Sequence, residues 1–157
     1  MKKLGLILLL GAAAWLMNRL PHPAVDIGKL EPVEVVLLSA TDRGIRLDTD
    51  TGAWGEGATL NAAVADLKQA DSGEVFLDTA ENVLIRGDMA AYWQEIWAHF
   101  RPAAQVCRME GEMDLQEAAD YLTMHPTGLT LGKLRAGLGE WKTLTITEGR
   151  GRLEDTG

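Results

Sequence analysis

The chain has 157 residues, a formal net charge of −8 and a single cysteine, Cys107. This length is enough for one domain with a hydrophobic core, and the lone cysteine excludes an internal disulfide bond. Because an acidic protein is repelled by phosphate groups, we expect no nucleic-acid partner.

Residues 1–20 predict a segment that directs the chain to a membrane. Lys2 and Lys3 precede an apolar run at residues 4–17, which is the arrangement of an export signal. The run has 14 residues, whereas a spanning helix needs roughly 20. Two lysines before the run against one arginine after it place the domain outside the cytoplasm.

Two interpretations of this segment remain open, a cleaved signal and a retained anchor. Ala12 and Ala14 form an A-x-A-like pair, so cleavage before Trp15 is chemically feasible. In the retained form, Arg19 extends toward the headgroups and Trp15 lies at the membrane interface. We adopt the retained single-pass anchor as the prediction and keep a secreted, cleaved form as the alternative.

Residues 21–32 predict a tether between the membrane and the domain. Pro21, Pro23 and Pro32, with Gly28 among them, disfavour a regular helix or strand and favour an extended spacer.

The predicted domain, residues 33–147, begins with a β-hairpin. Residues 33–40 are rich in β-branched and apolar side chains, which indicates a buried strand. Residues 41–44 have turn chemistry, and residues 45–49 alternate apolar and polar side chains as a half-buried strand does.

A glycine-rich loop and a helix are predicted next. The loop covers residues 50–58, and Thr59 is placed to cap a helix over residues 60–69. The apolar residues of that helix fall on one face: Leu60, Ala63, Val64 and Leu67.

The second half repeats the alternation of strands and helices. Short strands are predicted at residues 75–77 and 83–85, followed by a helix that Asp88 caps and Pro102 ends. The apolar positions of that helix have helical spacing: Met89, Trp93, Ile96, Trp97 and Phe100.

The last predicted elements complete the fold. They are a strand at 105–109, a helix opened by Asp114 and Glu117 and running through Leu122, a short helix within 129–138, a strand at 144–147 and a flexible tail at 148–157. This order predicts an α/β (α+β) fold in one domain, with a mixed β-sheet covered by helices.

The carboxylates of residues 48–57 resemble those of a calcium-binding loop, because the alternating side chains of Asp48 and Asp50 could converge on one cation. A calcium loop of the EF-hand type needs further oxygen ligands where Gly52 and Thr59 stand. We therefore expect a polar connection here and no metal or cofactor site.

No matched nucleophile and base is apparent among the cysteine and histidines. Cys107 falls in a predicted strand, and His99 and His125 lie at helix ends without ligand spacing. Trp93 and Trp97 could line a groove, but their spacing is more typical of a core. We expect no catalytic, cofactor-binding or metal residues, and hence no enzyme.

A family resemblance emerges from the order of these motifs. A glycine-containing loop leads into a T-L-x-x-A type helix, and a short strand ending in a glycine leads into another helix at residues 83–88 and beyond. The matching positions of the first motif are Gly57, Thr59, Leu60 and Ala63. Over residues 33–122 the chain resembles the N-terminal domain of the Ger(x)C family, membrane-attached proteins of bacterial spore germinant receptors.

The resemblance implies a non-catalytic accessory or binding domain, with membrane receptor subunits as partners. Ger(x)C proteins are attached through a lipidated cysteine, whereas this chain has no cysteine near its hydrophobic segment, so the predicted anchor would replace it. The alternatives are an unrelated exported scaffold or interaction protein and a secreted hydrolase.

Overall fold

The computed structural model describes residues 30–70, 74–147 and 150–156. The predicted membrane segment, 1–20, and residues 21–29 of the predicted tether therefore lie outside the described residues. Within the part of the chain that is described, no helix is long and apolar enough to cross a bilayer.

The described residues form nine β-strands and four α-helices. In chain order these are β1 Leu30–Pro32, β2 Val35–Thr41, β3 Gly44–Thr49, β4 Trp54–Gly57, α1 Leu60–Ala70, β5 Glu74–Phe76, β6 Asn82–Arg86, α2 Trp93–His99, β7 Gln105–Glu110, α3 Leu115–Met124, α4 Leu131–Arg135, β8 Lys142–Thr147 and β9 Arg150–Asp155.

Seven strands form one mixed sheet in the order β4-β3-β2-β6-β7-β8-β9. The four central strands, β2, β6, β7 and β8, are mutually parallel. Strands β3 and β4 add antiparallel at one edge, and β9 adds antiparallel at the other. Strands β1 and β5 form a separate parallel pair. The predicted fold, a mixed sheet with helices, is confirmed.

Apolar side chains are buried on both faces of the sheet, because successive residues of a strand point to opposite sides. In β2, Val36 and Leu38 join the buried residues of α1, α2 and α4, and we call this side the three-helix face. Val35 and Leu37 join the buried residues of α3 on the opposite side, the one-helix face. The helices therefore divide three to one between the two faces.

Local sequence accounts for several of these elements. The hairpin prediction is confirmed, since β2 and β3 pair with Thr41 opposite Gly44. The Thr59 hydroxyl accepts a hydrogen bond from the Ala62 amide at 3.1 Å, so Thr59 caps α1 as predicted. The Asp114 carboxylate caps α3 by accepting from the Gln116 amide at 2.8 Å.

The predicted loop 50–58 contains a strand, which the sequence did not indicate. Strand β4 pairs with β3, and its glycines let α1 pack directly against its backbone. A Cβ atom on Gly55 would overlap the carbonyl oxygen of Ala63, and one on Gly57 would overlap Ala62. These glycines therefore serve close packing rather than flexibility.

The predicted flexible tail, 148–157, is also wrong for most of its length. Residues Arg150–Asp155 form β9 along β8. The half-buried positions Gly151 and Leu153 alternate with exposed charged residues, so the strand buries one face despite its charge. The last three residues of the predicted tether, Leu30–Pro32, likewise form a strand, β1.

The aromatic helix is shorter than predicted. The Asp88 carboxylate accepts a hydrogen bond from the Ala90 amide at 2.8 Å, but the residues that follow form a 3-10 turn, Ala90–Tyr92, before α2 begins. Within α2, Ile96 is fully buried, while Trp93 and Trp97 are half-buried. The apolar face that the sequence predicts for this helix is therefore only partly buried in the core.

The contact between β4 and α1 yields a first prediction. Replacing Gly55 by alanine forces the added methyl group against the backbone of Ala63 and should lower the free energy of unfolding by about 3 kcal/mol. Gly52 is the matched control, because it has φ +85° and no neighbouring atom within 4 Å. Gly52→Asn should change stability by about 1 kcal/mol or less, since asparagine tolerates positive φ. Urea denaturation measures both, and equal effects would contradict the packing role.

Candidate functional site

One corner of the three-helix face is left uncovered by the helices. The C-terminal ends of β6 and β7 border a cavity of about 460 Å³ there, together with Trp141, which precedes β8. Ligands of open α/β sheets bind outside the carboxyl ends of strands, which is where this cavity lies. We call it the tryptophan cleft.

Two indole rings form the apolar wall of the tryptophan cleft. The ring centroids of Trp93 and Trp141 lie 6.0 Å apart, and the rings are tilted by 52°. Trp93 also stacks on Trp97, at 6.0 Å between centroids and 26° between planes. Buried Ile85 and Met89 lie beneath these rings. The wall is therefore rigid, with partly exposed aromatic surface.

Charged side chains line the rest of the tryptophan cleft. Arg108 and Glu110 are two residues apart in β7, so both project from the three-helix face, and both are exposed. The Arg108 guanidinium carbon lies 5.3 Å from the centroid of the Trp141 ring. Asp88 follows β6, and its hydrogen bond with the Ala90 amide holds it in place. Among the described residues, none of these three charges is in an ion pair.

A second cavity, of about 530 Å³, occupies the opposite corner on the one-helix face, beside β3. Most of its charged groups have partners within the protein. Arg46 donates hydrogen bonds to Asp48 at 2.7 and 2.9 Å. These bonds are the main reason why the pKa of Arg46 is raised. Arg86 donates to the carbonyl oxygen of Gly111, and Asp50 accepts from the Glu34 amide. This polar network engages most of the charges in the corner, although the Oδ1 atom of Asp50 is buried without a hydrogen-bond partner among the described residues.

The carboxylates of the calcium interpretation are bound by different partners. Asp48 binds Arg46, Asp50 accepts from the Glu34 amide at 3.0 Å, and Glu56 accepts from the Thr41 hydroxyl at 3.1 Å. Over residues 30–70, 74–147 and 150–156, no group of three side chains is placed to hold a metal ion.

Among the described residues, Cys107, His99 and His125 do not form a nucleophilic site. Cys107 is 1% exposed in the core of the one-helix face, and burial raises the pKa of its thiol to about 12. His99 lies on α2, where its Nε2 atom is 2.7 Å from the Asn61 amide oxygen. The His125 ring packs on Tyr121, with 4.6 Å between centroids. The prediction that Cys107 lies in a strand is confirmed.

Sequence reasoning missed most of the tryptophan cleft. It singled out Trp93 as a core residue with a groove as the alternative, and Trp93 in fact lines the cleft. It did not single out Arg108, Glu110 or Trp141. The available signal was in β7, where charged residues alternate with buried ones in a strand that is otherwise typical of a sheet centre.

The buried thiol yields a second prediction. Below pH 9 the thiol of Cys107 is protonated in both states, but above its ordinary pKa of 9.0 only the unfolded chain loses the proton. The unfolded state then binds fewer protons, so stability falls as pH rises toward 12, by up to about 1.4 kcal/mol per pH unit. The free energy of unfolding should fall more steeply between pH 9 and 12 in the wild type than in Cys107→Ala. Parallel curves would contradict this assignment.

Comparisons of the chain with protein-family models, with curated proteins and with solved structures find no match. The resemblance to Ger(x)C proteins therefore stays a hypothesis that rests on the motifs quoted above.

Proposed function

We propose that this protein is a membrane-tethered, extracytoplasmic binding domain whose ligand site is the tryptophan cleft. The single observation that carries the proposal is the juxtaposition of Trp93 and Trp141 with the charges of Arg108 and Glu110, which form no ion pair with any residue that the structure describes. A concave site with an aromatic wall and a few convergent polar groups is the usual form of a small-molecule site.

Binding is favoured over catalysis by the groups that line the cleft. Its described lining has no serine, cysteine, histidine or lysine, so the common nucleophiles and the histidine base are lacking there. Asp88 and Glu110 are both exposed, whereas carboxyl groups that act as general acids are usually desolvated. We therefore propose a non-enzymatic role.

The cellular setting that we propose is a spore membrane complex. Residues 1–20 support the membrane attachment through their lysines and apolar run. The motif resemblance to Ger(x)C proteins over residues 33–122 supports membrane receptor subunits as partners. Because residues 1–20 carry three basic side chains and no acid, the net charge of −8 becomes −11 over residues 21–157, which speaks against a nucleic-acid partner.

The membrane attachment generates a third prediction. A reporter enzyme that is active only outside the cytoplasm, fused after Gly157, should be active and should sediment with membranes. Replacing Leu8 and Leu9 by aspartate breaks the apolar run and should abolish both properties, because charges at this depth oppose insertion. A mature protein beginning at Trp15 would establish cleavage, and full-length chain in the cytosolic fraction would exclude the proposed anchor.

The germination role generates a fourth prediction. Deleting the gene in its spore-forming host should impair the response to at least one germinant, measured as loss of optical density in a spore suspension. Trp141→Ala should fail to restore the response, because it removes one wall of the cleft. Trp54→Ala is the control, since Trp54 lies in β4 at 49% exposure, away from the cleft, and should restore it.

Unaltered germination with every known germinant, together with no expression during sporulation, would exclude the spore setting. The generic exported binding protein would then be the better account. Full restoration by Trp141→Ala would instead show that germination does not depend on the cleft.

A further inference from the structure

We infer that the ligand of the tryptophan cleft is a saccharide, bound by stacking a pyranose ring against the indole wall. This inference rests on the proposed function and specifies the chemical class of its ligand. The shape of the wall, the polar groups beside it and the balance of charge favour a saccharide.

The wall of the cleft suits a flat ligand with apolar faces. Trp93 and Trp141, tilted by 52° with centroids 6.0 Å apart, form a two-sided apolar corner. The face of an indole ring is electron-rich, and it attracts the weakly positive C–H groups that a pyranose presents on its ring faces. The cavity volume of about 460 Å³ lies in the range of small-molecule sites.

The polar groups beside the wall suit a ligand with hydroxyl groups around its edge. The Arg108 guanidinium only donates hydrogen bonds, and the carboxylates of Asp88 and Glu110 only accept them. A sugar hydroxyl does both, so neighbouring hydroxyls can accept from Arg108 and donate to the carboxylates. Because these charges are unpaired with one another in the described structure, their hydrogen-bonding capacity is available to a ligand.

The balance of charge favours a neutral ligand. Two carboxylates and the acidic body of the protein oppose an anion. A cation would be attracted by the two carboxylates, but it would be repelled by the Arg108 guanidinium, which already lies 5.3 Å from the Trp141 ring centroid. A neutral polyol avoids both penalties.

The site is organised before any ligand binds. Trp93 stacks on Trp97, and the Arg135 guanidinium carbon lies 5.3 Å from the Trp97 ring centroid. Less side-chain freedom is therefore lost on binding, which favours affinity.

The chain contains a matched control for this pair of residues. Arg46 lies 4.5 Å from the ring centroid of Trp54, so the same two residue types are in contact at the other end of the sheet. There the guanidinium is bound by Asp48, and Trp54 is 49% exposed in an edge strand. Trp54 thus tests whether any surface tryptophan beside an arginine gives the same signal.

The test is a titration of the full-length protein in a detergent without a sugar headgroup. The five tryptophans give indole N–H signals that can be followed by NMR. The probes are methyl β-glucopyranoside, cellotetraose and chitotetraose, at up to about 10 mM, which exceeds a millimolar Kd about tenfold. We expect saturable shifts at Trp93 and Trp141. Tighter binding of a tetraose than of the monosaccharide would indicate that the natural ligand is a saccharide polymer.

Variants then assign the site. Trp141→Ala should weaken binding about tenfold, and Arg108→Gln and Glu110→Gln each about fivefold, whereas Trp54→Ala should leave it within about twofold. The two glutamine variants change exposed side chains, so they keep the test valid if Trp141→Ala unfolds. Shifts that persist unchanged in all three cleft variants would overturn the assignment.

Three results would overturn the ligand class. They are no saturable shift with any of the saccharides, saturation of the cleft by leucine in their place, and saturation by inorganic phosphate. If one of them is found while Trp141→Ala still impairs germination, the ligand class fails and the proposed function stands. Saccharide binding with normal germination supports the ligand class and contradicts the proposed role in germination. Cleavage of a bound tetraose supports the ligand class but makes the protein a hydrolase.

Discussion

The need to cover a wide sheet on both faces with few, short helices governs the architecture of this domain. Parallel strands such as β2, β6, β7 and β8 bury both faces. The longest described helix, α1, has only 11 residues, and α2 and α4 are shorter still. The helices therefore cover the centre of the sheet and leave one corner open on each face, where the two clefts described above lie.

The two corners solve the problem of exposed sheet surface in different ways. Beside β3, an arginine and an aspartate two residues apart neutralise each other through bidentate hydrogen bonds of 2.7 and 3.0 Å. Beside β7, an arginine and a glutamate have the same spacing, but no ion pair joins them in the described structure. Aromatic rings from α2 and from Trp141, the residue before β8, cover the neighbouring surface. The two corners thus differ in whether the arginine and the acidic residue form an ion pair with each other.

The sequence predicted those elements whose residues carry their own signals. The hairpin has turn residues between alternating strands, and α1 has both a capping threonine and a continuous apolar face. Strand β4 was missed because Trp54-Gly-Glu-Gly has low β propensity, and its position depends on contact between glycines and a helix. Strand β9 was missed because four of its six residues are charged, as suits an edge.

The cleft could not be assembled from local pattern, because its parts meet only through tertiary structure. Arg108 comes close to Trp141 through the register that sets Arg108 opposite Thr143 in the next parallel strand. The helical spacing of Trp93 with Ile96 and Trp97 correctly indicated one shared face. It did not reveal that α2 begins only at Trp93, which places that ring at the rim rather than within the core.

The parallel pair of β1 and β5 has a mechanical consequence. Leu30 lies opposite Glu74 and Pro32 opposite Phe76, so the residues where the chain enters the domain are held outside the main sheet. The Thr79 hydroxyl reinforces this junction by bonding both backbone polar groups of Val33 at 3.0 Å. A pull on the chain from its N-terminal side would load this short pair in shear first. The hydrogen bonds between β1 and β5 would then break before β2 is pulled out of the centre of the sheet.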